Sequence, residues 1–174
     1  MRAGSVYMRV LGIDPGIAIM GFGFIDKAGH KLTPVQYGCI ETEAGTPAEI
    51  RLKQIYEASC SLLDQYKPDT VAVEKLFFNQ NVTNAFSVGQ ARGVFMLAAA
   101  QRGLPISEYT PMQVKQAVVG YGAAEKKQVQ EMVRMLLKLQ AVPKPDDVAD
   151  ALAVAICHAH SAVMNDRMNG ATLK

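Results

Sequence analysis

Apolar positions along this chain follow two rhythms. Residues Met8 to Asp14 (MRVLGID) are mostly apolar and stop at an acid followed by Pro15-Gly16, which predicts a buried strand running into a turn. Residues 19–26 (IMGFGFID) and 35–41 (VQYGCIE) predict two more strands, and the short links favour an antiparallel meander. The period then lengthens. Thr46-Pro47 opens a helix reaching about Tyr66, with Ile50, Ile55, Leu62 and Leu63 among its apolar positions, and Lys67-Pro68-Asp69 closes it. TVAVE (70–74) is a fourth strand, again ending in an acid. A helix over about 82–102 follows, in which Gly89 and Gly93 would admit another element close to the backbone. PISEYT (105–110) is the fifth strand, and Pro111 starts a short helix that Gly120-Tyr121-Gly122 breaks. Residues 125–139 are amphipathic, with Val129, Met132, Val133, Leu136 and Leu137 on one stripe. Pro143-Lys144-Pro145 separates them from a last helix, Asp146 to about Val163.

The order βββαβαβααα implies an α/β fold: a five-stranded mixed sheet, an antiparallel meander plus two parallel strands, flanked by helices on both faces. Helical crossovers set the fourth and fifth strands parallel to the first. Asp14 and Glu74, which end strands one and four, then share one sheet edge, and ligand sites of open α/β sheets gather at that carboxyl end.

The 174 residues suit one domain, expected over 8–165, between a flexible extension (1–7) and a flexible tail (166–174). With 49% hydrophobic and 20% charged residues, the chain has the composition of a folded domain. Cys39, Cys60 and Cys157 are far apart and show no CxxC pairing, which argues against a disulfide scaffold or a zinc knuckle. The longest apolar run, Val94 to Ala100, is too short to span a bilayer, and the first ten residues lack a signal-peptide core. A cytoplasmic location and no membrane partner are therefore expected. The formal net charge is +2; gathering four acids into a metal site would leave +6 on the remaining surface, suited to a polyanionic partner.

The acids carry the chemistry. Asp14 reads as a turn former or as a ligand. Glu74 ends a buried strand, where a carboxylate needs either a basic neighbour or a metal. Asp147 and Asp150, three apart at a helix start, share a face, as do Asp146 and Asp150. Asp146 is the expected N-cap. Carboxylates without a His or Cys cluster suit hard cations, Mg²⁺ or Mn²⁺. Two such ions about 4 Å apart can clamp the attacking and leaving oxygens of a phosphodiester displacement.

Six segments carry a family resemblance: LGIDPG (11–16), VAVEKLFF (71–78), GQARGV (89–94), QVKQAVVGYG (113–122), AEKKQVQEMVRMLLKL (124–139) and DDVADALAVAICHAH (146–160). In this order and spacing the chain resembles the bacterial RuvC family of Holliday-junction resolvases across about residues 8–160. The resemblance implies a ribonuclease H-like fold and a crossover junction endodeoxyribonuclease acting in recombination and repair. It implies a homodimer that makes symmetric, metal-dependent cuts in two strands of like polarity, leaving ligatable nicks. Asp14, Glu74, Asp147 and Asp150 are then the catalytic metal ligands, for two Mg²⁺ ions with Mn²⁺ able to substitute, and the family pattern favours Asp147 over Asp146. Four-way junction DNA and the branch-migration proteins RuvA and RuvB are the implied partners.

Lys115 and Lys126 match family positions for phosphate binding or catalysis; a lysine beside a scissile phosphate offsets developing charge, while a solvated helix face is the ordinary place for lysine. Lys127, Arg92 and Arg134 are further candidate backbone contacts. Phe77 and Phe78 cannot both enter one core from an extended segment. The resemblance marks Phe77 as the aromatic that stacks on bases near the crossover; packing of both rings on the following helix is the alternative. Asn79 is a candidate polar contact, and helix 82–102 is the candidate dimer surface. Two other functions compete. IDPG also looks like the phosphate turn of actin-like kinases and ATPases, but the chain lacks their glycine-rich nucleotide motifs. A junction binder without catalysis would gain nothing from four acids near phosphates.

Overall fold

The computed structural model describes residues 7–75 and 82–171. Strands β1 (Met8–Asp14), β2 (Ile19–Ala28), β3 (Lys31–Glu41), β4 (Thr70–Glu74) and β5 (Ile106–Tyr109) alternate with helices α1 (Ala48–Tyr66), α2 (Val82–Ala100), α3 (Pro111–Val119), α4 (Lys126–Leu136) and α5 (Asp146–Ala171) in the expected order. They form one sheet ordered β3-β2-β1-β4-β5. The β1–β2 and β2–β3 pairs are antiparallel; β1–β4 and β4–β5 are parallel.

The meander extends further than the pattern of residues suggests. β3 begins at Lys31 although Pro34 lies within it. It is an edge strand, and the register shifts between Phe24 and Ile25 opposite that proline, so the missing N–H disrupts no regular ladder. α4 stops at Leu136, short of 139, because Lys138 turns left-handed and Leu139 donates its N–H back to the Arg134 carbonyl. α5 continues past Val163 to Ala171, since no proline or glycine interrupts it before Gly170. Among the described residues no element packs closely on Gly89 or Gly93: a Cβ at either would meet nothing within 4 Å.

Strand alternation sorts the sheet into two faces. Leu11, Ile13, Phe22, Phe24, Val71 and Val73 point to one side and pack on α1 and α2. Val10, Ile25 and Ala72 point to the other, under α3, α4 and α5. α5 presses unusually close to this second face. A Cβ at Gly12 would lie 2.1 Å from the Ala151 carbonyl oxygen, and one at Gly21 would lie 2.0 Å from that of Asp147. Glycine on the strands, met by the alanine-rich turns 149–155, lets the helix backbone rest on the sheet.

Candidate active site

The register of β1 and β4 brings the first two acids together. Ile13 pairs with Val73, so the next residues, Asp14 and Glu74, leave two parallel strands side by side. Both belong to the alternation that faces α5, after Gly12 and Ala72 respectively. Past Asp14 the chain turns tightly: a Cβ on Gly16 would lie 2.1 Å from the Ile19 carbonyl oxygen. The Thr42 hydroxyl secures the turn by donating to the Ile17 carbonyl at 2.5 Å, and Arg51 donates to the Thr42 oxygen at 2.7 Å. Across the sheet Asp14 pairs with Gly21, and Gly21 is where α5 begins its contact at Asp147. One turn further along α5, Asp150 faces the same cleft.

The acids stand close enough to feel one another's charge. Burial, with Asp150, Glu74 and Asp147 close by, pushes the Asp14 carboxyl up to about 8. Burial likewise raises Glu74 and Asp150, with Asp150 adding to the effect on Glu74. Lys126 opposes all three. Its ammonium stands 3.1 Å from Asp150 and 3.5 Å from Asp146. Lys115 acts on Glu74 in the same sense, and the two lysines line a cleft of about 230 Å³ with Glu74, Asp150, Pro111 and Val114. Among the described residues no three His, Cys, Asp or Glu side chains stand converged as a ready metal cluster. The donor set itself is all carboxylate oxygen and fits a hard divalent cation.

Asp146 does not serve as a free N-cap. It is the first helical residue, and its carboxylate accepts from Lys144 at 2.7 Å while facing Lys126. Lys144 and then Lys126 hold it below the usual carboxylate range. Lys127 is exposed one residue beyond Lys126. Arg92 is not brought to the acids: its guanidinium is bonded to Glu108 of β5, which is in register with Val73 and so on the α2 side of the sheet. Arg134 is engaged by Glu131 at 2.5 Å. Phe77, Phe78 and Asn79 lie outside the described residues. Two contributors escaped the sequence pattern. One is Gly21, legible afterwards in the alternating glycines of MGFGF; the other is Cys39, paired with Gly21 and close enough to Asp147 to feel its charge.

Comparison with known proteins fits this geometry. The family model described as crossover junction endodeoxyribonuclease RuvC matches residues 10–158. A crossover junction endodeoxyribonuclease RuvC of Brevibacillus brevis is 70% identical over 152 residues, 87% of this chain and 92% of the relative. One of Desulfitobacterium hafniense is 61% identical over 164 residues, 94% and 99% of the two chains. The solved Thermus thermophilus RuvC in complex with Holliday junction substrate superposes with a TM-score of 0.86 at 40% identity, covering 91% of this chain and 96% of that one. With the acids placed at the carboxyl edge of a ribonuclease H-like sheet and the family match running through all of them, this chain belongs to the RuvC family of crossover junction endodeoxyribonucleases.

Proposed function

We propose that this protein resolves Holliday junctions in recombination and repair, as a homodimer making symmetric cuts in two strands of like polarity and leaving ligatable nicks. The observation that carries this reading is that Asp14 and Glu74 end adjacent parallel strands under α5, close enough to feel the charge of Asp150, to which Lys126 is bonded. Asp14, Glu74, Asp147 and Asp150 would hold two Mg²⁺ ions, with Mn²⁺ able to substitute, which when bound activate the attacking water and stabilise the departing 3′-oxygen. The chain's own groups do the rest. Lys115 and Lys126 present positive charge across the cleft from the acids and orient a backbone phosphate. Lys127 extends that charge along the exposed side of α4. Phe77, Phe78 and Asn79 follow β4 in sequence directly after this site, suited to stacking and polar contact at an opened crossover. Arg92, tied to Glu108, joins α2 to β5 rather than gripping DNA.

Dimerisation fits the open side of α2. Phe86 and Leu97 are exposed, and Gly89 and Gly93 lie between them on the same helical stripe, with none of the described residues within 4 Å of a Cβ at either. A two-fold axis through this stripe would give two sites for a substrate of matching symmetry. No helix among the described residues is long and apolar enough to cross a membrane. We place the protein in the cytoplasm, with residues 8–165 as its nuclease domain and RuvA and RuvB as its partners. The test is Asp14→Asn. It should bind a four-way junction as wild type does and fail to cut it in Mg²⁺; retained cutting would remove Asp14 from the chemistry.

A further inference from the structure

Lys126 occupies an unfavourable place on its own helix. It is the first residue of α4, after a capping box in which Glu125 and Gln128 satisfy the helix start. A cation there opposes the positive end of the helix dipole. What compensates it lies on α5. Asp146 and Asp150 are one helical turn apart on one face and both reach the Lys126 ammonium. Their surroundings differ. Asp150 belongs to the acid cluster with Asp14 and Glu74. Asp146 stands outside the cluster, held from its other side by Lys144 at 2.7 Å.

We infer that Asp146 is a positioning residue, the anchor that keeps the Lys126 ammonium at the cleft mouth once Asp150 has turned to a cation. The inference rests on the proposed role of Lys126 at the scissile phosphate. A divalent charge on Asp150 repels Lys126, whose side chain is 55% exposed and otherwise free to swing outward. The Asp146 carboxylate, fixed by Lys144 and at the start of a helix, keeps a second attachment that the cation does not replace. Asp146 therefore acts through Lys126 and touches neither metal nor phosphate.

Two readouts test this. The first is competitive acetylation of lysines by acetic anhydride with Mg²⁺ present, Lys126 being scored by mass spectrometry against its neighbour Lys127. The second is single-turnover cutting of a pre-bound junction alongside junction affinity. Asp146→Asn should raise the Lys126 to Lys127 labelling ratio and slow cutting by about fivefold. Affinity should hold or tighten, because a negative charge near DNA has been removed. Asp146→Glu should restore both properties, and Asp146→Asn should add no slowing on a Lys126→Ala background. An unchanged labelling ratio, unchanged cutting, or equal slowing with and without Lys126 would each overturn the inference. The proposed function fails on wild-type enzyme alone, whereas this inference fails on ratios between variants.

Discussion

Replacing Gly21 by alanine adds one carbon where the sheet touches the start of α5. The new Cβ would stand 2.0 Å from the Asp147 carbonyl oxygen, 2.4 Å from its carbonyl carbon and 3.1 Å from its Cβ, where ordinary contact begins at 3.4 Å. The nearest obstacles are main-chain atoms, so no rotamer change relieves them, and the helix start must retreat by roughly 1 Å or more. Overpacking of this kind costs about 1–3 kcal/mol of stability. The larger effect falls on the site. Asp147 and Asp150 ride on α5 while Asp14, opposite Gly21, stays with the sheet, so the acids separate without any of them being altered. A misplacement of about 1 Å can cost on the order of a hundredfold in rate. Single-turnover cutting of a mobile four-way junction in Mg²⁺ measures this, with thermal unfolding and junction affinity in parallel. Gly23→Ala is the control. Its Cβ would stand 2.4 Å from the Leu152 Cδ2 and 2.8 Å from its Cγ, with the Leu152 backbone only at 3.4 Å, and it lies two residues further from the acids. Gly21→Ala should fold, bind and cut about a hundredfold more slowly, and Gly23→Ala, whose collision is with a buried side chain and falls mainly on stability, should be slowed much less. Wild-type cutting by Gly21→Ala would refute the claim that close sheet–helix contact sets the acid geometry.

Three further outcomes follow from the site and its supports. Because the Asp14 carboxyl titrates near 8 in the fold against an ordinary value of 3.8, the metal-free protein pays nothing below the lower value and loses stability progressively up to the higher one; its melting temperature in EDTA should therefore fall from pH 5 to pH 8, and Asp14→Asn or added Mg²⁺ should flatten that fall. His158, buried between the Tyr109 hydroxyl at 2.8 Å and the Thr70 hydroxyl at 3.2 Å, is held below its ordinary value of 6.5 by burial and by Lys27, so its contribution is complete above about pH 6.5 and is lost as pH falls; His158→Ala should cost about 1–3 kcal/mol in denaturant unfolding at pH 8. Leu97→Glu, on the open stripe of α2, should give a monomer in sedimentation equilibrium with its fold intact; an unchanged dimer would move the interface elsewhere.

The strands and their order were legible because the apolar runs are bounded by strong breakers: Pro15-Gly16 after β1, Lys67-Pro68 before β4, and Pro111 after β5. The edge hid more. The apolar pattern predicts the third strand only from Val35, whereas the strand starts at Lys31, and pairing beside a bulge shows why this edge strand tolerates Pro34. In the site, strand alternation and parallel register could place Asp14 beside Glu74 in advance, since both are one-dimensional properties of β1 and β4. Arg92 could not be judged in that way. Its engagement with Glu108 depends on α2 crossing beneath β5, a contact between residues 16 apart that no local pattern records. Asp146 was ambiguous for a related reason: helix periodicity puts it on the Asp150 face as well as at the cap, and only the arrival of Lys126 from α4, opposite the neighbouring Lys144, shows which partners it takes.

The acids at the carboxyl ends of β1 and β4 and the start of α5 should cut four-way junctions. The most direct measurement is cleavage of a strand-labelled mobile four-way junction beside matched linear duplex, in Mg²⁺ and in EDTA. The account predicts paired nicks, symmetric about the crossover, on the junction alone and only with the metal. Metal-independent cutting, or equal cutting of the duplex, would contradict it.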